Sequence, residues 1–97
     1  MDAKLEFGRF IQQMRKEKNY TLRFVADKLE MDLSMLSKIE NGERQLQGHF
    51  LKPLADLYEL SFKEIQMKFL HEKIKGEFGE EPFLKETLMS YLEGIAD

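Results

Sequence analysis

Apolar residues recur along the chain at helical spacing, and no stretch alternates convincingly at period two. Phe7, Phe10, Ile11 and Met14 share one helix face, and that segment runs out near Lys18-Asn19. Thr21 is placed as an N-cap before Leu22, Val25, Ala26 and Leu29, which repeat the same spacing. Asp32 is the next capping residue, ahead of a helix that carries Leu36 and Ile39. Asn41-Gly42 ends it, because Gly accepts the left-handed conformation. A polar loop from Glu43 to Gly48 leads to a fourth helix with Phe50, Leu51, Leu54, Leu57 and Tyr58. Pro53 is tolerated only in a first turn, so that helix should begin close to Gly48 or His49. Ser61-Phe62-Lys63-Glu64 reads as a capping box opening a fifth helix that ends by Gly79. Pro82 fits the first turn of a sixth, continued by Leu84, Leu88, Tyr91, Leu92 and Ile95. The class is all-α.

Residues 21–42 hold the informative arrangement: two short helices joined by about three residues, with small Ala26 where they cross. Val25, Leu29, Leu36 and Ile39 point inward and set the crossing angle. The opposite face of the second helix, Leu33, Ser34, Met35, Ser37 and Lys38, is then left outward. A helix presented in this way matches the width of the major groove of B-form DNA.

Composition narrows the classes. A chain of 97 residues makes one small domain, and its eight Phe argue against disorder. With no Cys there is no disulfide, thiol nucleophile or Cys-ligated metal. No apolar run approaches the roughly 18 residues of a membrane span, and MDAKLEFGRF has no signal-peptide core, so a cytoplasmic protein with no membrane partner is expected. His49 and His71 lack zinc-site spacing, and Glu77, Glu80 and Glu81 read as a solvated turn before the last helix. Ser34 and Ser37 have no nucleophile-elbow motif around them, and no Gly-rich phosphate loop is present. The expectation is no enzyme, no cofactor and no metal. Net charge is −3, which by itself does not suggest a nucleic-acid binder. It is uneven, however: +1 over residues 1–58 and −4 over residues 59–97.

Residues 7–65 resemble the Xre/Cro-type helix-turn-helix regulators, through FGRFIQQMR, TLRFVADKLEMDLSMLSKIENGE and LADLYELSFKEI. The resemblance implies a five-helix, lambda-repressor-like domain over residues 1–66 that binds double-stranded DNA. It places base reading on Leu33, Ser34, Met35 and Lys38, with Ser37 close by. Lys38 would donate to guanine O6 and N7. Phosphate contacts fall to Thr21, Arg23, Arg44, Gln45 and Gln47, with backbone N–H groups near Asn41 and Gly42. In the family an Arg ending the first helix pairs with a Glu ending the recognition helix. Arg15 and Glu40 occupy those positions, so Arg15 is assigned to structure and not to DNA. Two residues depart from the pattern. Leu22 stands where Gln is usual, removing one phosphate ligand. Glu30 stands where Gly is frequent, so a non-Gly residue is expected to meet a demand for positive φ. DLSMLSKIENGERQ with a long helical tail looks most like small regulators found beside restriction–modification genes, though the motif is shared by phage repressors and antitoxins.

The tail, residues 67–97, has more apolar surface than one small interior needs. Met67, Leu70, Ile74, Leu84, Leu88, Tyr91 and Leu92 either complete the monomer or pair two copies, and the surplus favours a homodimer. A dimer would set two recognition helices about 34 Å apart on a pseudo-palindromic operator, as a repressor or autoregulator. The alternative is an antitoxin-like interaction module whose acidic tail covers a partner protein.

Overall fold

A computed structural model describes residues 3–95. The elements in chain order are α1 (Ala3–Glu17), α2 (Leu22–Lys28), α3 (Leu33–Glu40), α4 (Leu51–Tyr58), α5 (Phe62–Phe78) and α6 (Leu84–Ile95). A 3-10 turn, Gly48–Phe50, runs directly into α4. Pro53 is the third residue of α4, where its missing N–H would have had no helical partner. There are no strands among the described residues, and the fold is an all-α, lambda-repressor-like domain with one additional C-terminal helix. One boundary differs from the sequence reading. Pro82 lies in the turn ahead of α6, which is held by Glu81 N–H to Phe78 O and Leu84 N–H to Glu81 O.

Helices α1, α2, α3, α4 and the first half of α5 enclose a single core that includes Ile11, Val25, Leu36, Leu54 and Ile65. The packed pairs are α1 with α3 and α5, α2 with α3, and α4 with α5. Burial of these side chains is the main force holding the domain together, at about 1.5–3 kcal/mol for each fully covered Leu, Ile or Val. Four helix ends fix how the elements turn into one another. Each of α1 to α4 closes with the paired 6→1 and 5→2 bonds of a Schellman motif, such as Glu43 N–H to Lys38 O and Gly42 N–H to Ile39 O after α3. The left-handed residue is Gly42 in that case, but Asn19, Glu30 and Glu59 in the other three.

Gly8 and Gly42 mark where α3 meets α1. A Cβ on Gly8 would lie 2.3 Å from the Ile39 carbonyl oxygen, and one on Gly42 would lie 2.6 Å from Leu5 Cα. The C-terminal end of α3 therefore rests directly on α1 backbone. Helix α6 behaves differently: it packs closely against no other element, and none of its described side chains is buried. The radius of gyration, 15.0 Å, exceeds the roughly 12.5 Å of a compact chain of this length, as a projecting helix requires.

Candidate nucleic-acid interface

The recognition element is built from two short helices that could not persist alone. Thr21 Oγ accepts the Phe24 N–H at 3.0 Å and starts α2. Helix α2 ends at Glu30 in the left-handed conformation, with Met31 N–H bonded to Ala26 O at 2.8 Å. The positive φ expected of Glu30 is observed, at 53°. Val25, Ala26, Leu29, Leu36 and Ile39 are all buried, so the α2–α3 crossing is held as the spacing predicts.

Behind α3, Arg15 grips its last residue. Arg15 Nε donates to Glu40 Oε2 at 2.8 Å and Nη2 to Oε1 at 3.0 Å, while Nη1 donates to the Tyr20 carbonyl at 2.9 Å. The Glu40 side chain is 2% exposed and that of Arg15 11%. The pair is thus nearly sealed, and hydrogen bonding to the Glu40 carboxylate raises the Arg15 guanidinium above its ordinary value. The fork ties the end of α1, the turn after it and the end of α3 into one unit. Tyr58 lies in the same interior, its hydroxyl buried without a hydrogen-bond partner. Burial, and next the Glu40 charge, push that hydroxyl well above the usual tyrosine range.

With its back held, α3 turns Leu33, Ser34 and Lys38 to solvent. Ser37 is half-buried. Met35 is half-buried too and packs against the core, which corrects the picture of a fully outward stripe. It sits one residue from buried Leu36, about 100° around the helix, and so occupies the flank of the exposed face. Arg44, Gln45 and Gln47 are exposed and gather with Asp32 and Met35 around a shallow depression beside α3. Buried Leu46 anchors their loop to the core. Thr21 and Arg23 are exposed at the start of α2, and Asn41 is exposed at the C-cap of α3. Among the described residues, Arg23, Lys38 and Arg44 have no side-chain hydrogen bond or ion pair. Their charges are therefore available to an anionic partner.

The sequence reading overlooked Gly8, Leu46 and the Tyr20 carbonyl. Gly8 carried a signal, because glycine inside a helical pattern costs stability and marks close backbone approach. Leu46 and the carbonyl carried none, since each matters only through residues distant in sequence.

Residues 11–65, more than half of the chain, match the helix-turn-helix family. The chain belongs to that family, of the Xre and lambda-repressor type. It is therefore a member of a group of DNA-binding transcription regulators. Among solved structures, the clp gene regulator ClgR from Corynebacterium glutamicum superposes with a TM-score of 0.61 at 18% sequence identity. The match covers 95% of this chain and 92% of that one, so the shared fold reaches beyond the helix-turn-helix domain into the helical extension. No curated protein is significantly similar in sequence. Among the described residues no helix is long and apolar enough to cross a membrane.

Proposed function

We propose that this helix-turn-helix protein is a dimeric, sequence-specific regulator of transcription, a repressor or autoregulator that binds a pseudo-palindromic operator in the cytoplasm. The observation that carries this reading is the exposed front of α3, with an unpaired Lys38, on a helix whose rear is clamped by Arg15 and Glu40. Leu33, Ser34, Met35, Ser37 and Lys38 read bases. Thr21, Arg23, Asn41, Arg44, Gln45 and Gln47 hold phosphates and set the register. Residues 1–66 supply DNA binding and residues 67–97 pairing. The division is one of roles, since α5 runs unbroken through it and contributes buried Phe69 to the core. Pairing rests on Met67, Leu70, Ile74, Leu84, Leu88, Tyr91 and Leu92, every one of them exposed or half-buried in the single chain. The pattern around α3 and its tail favours a place beside restriction–modification genes.

The experiment is competition binding after selection of an operator from a random duplex pool. Lys38→Ala should cost about 1–3 kcal/mol and relax the preference at one base pair of each half-site. Unchanged discrimination would remove Lys38 from base reading. The uncovered and acidic C-terminal region also favours a second reading, an antitoxin-like module that holds a partner protein. A dimer that persists on dilution in light scattering supports the first reading, and a monomer with residues 62–95 bare supports the second.

A further inference from the structure

We propose that α6 is an exchanged arm: in the dimer each copy seats the distal half of its α6 in a cleft of the other copy, between α1, α5 and the loop after α3. This rests on the dimer reading above and states how that dimer is built. The cleft has a volume of about 240 Å³, above a floor of Phe7, Ile39, Leu46 and Phe69. That exceeds the roughly 150 Å³ that accommodates a benzene ring. It is therefore large enough for an aromatic side chain, and none of the described residues fills it.

The occupant is suggested by what α6 leaves uncovered. Leu84 and Leu88 at its root are half-buried, whereas Tyr91, Leu92 and Ile95 are 63%, 60% and 53% exposed. The cleft ends at Gly76 and Glu77, within one turn of the point where α5 stops, and only a short turn then leads to the start of α6 at Leu84. The intervening turn holds the arm away from the body of its own chain. Gly79 N–H to Lys75 O, Glu81 N–H to Phe78 O and Leu84 N–H to Glu81 O fix it, with Pro82 inside. An arm held off its own body can satisfy its apolar side on a second copy at little cost in strain.

Area agrees. The chain exposes 6914 Å², against about 5,800 Å² for a folded monomer of 11.5 kDa, an excess of about 1,100 Å². A stable interface takes about 800 Å² from each partner. Charge agrees as well. The distal half of α6 bears a single described charge, Glu93, and the cleft is lined by Lys4, Arg44 and Lys73 against Glu72 and Glu77, a small positive balance. Arg44 also belongs to the loop beside α3, so a seated arm would steady the phosphate-contacting loop of the other subunit.

The absence of cysteine makes the test direct. Two differently tagged forms of the full chain, Lys73→Cys and Leu92→Cys, are mixed, equilibrated and oxidised, with circular dichroism confirming unchanged helix content. Exchange predicts a disulfide between the two tags, in excess over a mixture with Lys16→Cys as the exposed control. A double variant that closes its disulfide within one chain overturns exchange, because the arm then fills its own cleft. A Leu92→Cys chain that links to itself but not to Lys73→Cys also overturns it, leaving a dimer built by α6 against α6. A chain that stays monomeric at every concentration overturns the dimer reading itself. Sedimentation supplies an independent readout. Leu92→Ala removes two seated side chains per dimer and should raise the dimer Kd about a hundredfold, and an unchanged Kd overturns the proposal.

Discussion

Replacing Arg15 by Met keeps most of the apolar stem and deletes three hydrogen bonds at once, two to Glu40 and one to the Tyr20 carbonyl. The carboxylate left behind is 2% exposed, so water cannot take over from the guanidinium. Stranding one charge of a buried pair costs about 3–5 kcal/mol, and the orphaned carbonyl adds about 1 kcal/mol. Domains of this size are stable by only about 5–15 kcal/mol, so the variant should be close to the edge of folding. Urea unfolding at fixed protein concentration measures it. With a slope of about 2 kcal/mol/M, a loss of 4 kcal/mol moves the midpoint by about 2 M. Adding Glu40→Leu should recover most of the loss, because the remaining cost comes from an unpaired charge and not from a missing attraction. A loss below about 1 kcal/mol for Arg15→Met alone, the worth of an exposed pair, would refute the claim that this fork is sealed from water. So would a double variant no more stable than the single one.

Three further outcomes follow from the geometry. Tyr58→Phe should be neutral or stabilising by about 1 kcal/mol at neutral pH, since it removes a buried hydroxyl that has no partner. The raised folded pKa of Tyr58 means that the unfolded chain loses this proton first, so stability falls as pH climbs above about 10, and the Phe variant should lose less there; an equal fall in alkaline denaturation curves would count against it. Glu30→Gly should stabilise by up to about 1 kcal/mol in thermal melts, as it relieves a left-handed residue with a side chain. With Arg23 and Arg44 each on one phosphate, a dimer makes about four such contacts, for a slope of log K against log salt near −3.6. Arg44→Ala should make that slope shallower by about 1.8 for all sequences alike.

Most of the local structure was legible from spacing and capping residues. Helix count, Thr21 and Ser61 as caps, and the stop at Asn41-Gly42 all follow from short-range chemistry that the fold respects. The end of α4 was harder to see, because Glu59 takes a conformation that its side chain disfavours, with apolar Leu60 seated after it. The front of α3 was legible as a face but not as graded exposure. Met35 packs against the core beside a depression that Arg44, Gln45 and Gln47 also line, and the α3 repeat contains no information about the 44–47 loop.

Sequence alone determined which segments are helical, which side of α1 to α4 faces inward and which family the domain resembles, since periodicity, caps and turn residues act within a few positions. Tertiary structure decided the rest. It brought Arg15 to Glu40 across 25 residues, made Gly8 indispensable to the α1–α3 contact, and left α6 projecting with its apolar side uncovered. These are matters of which surfaces meet, and they become definite once the long-range packing has chosen among faces that are equally apolar on paper.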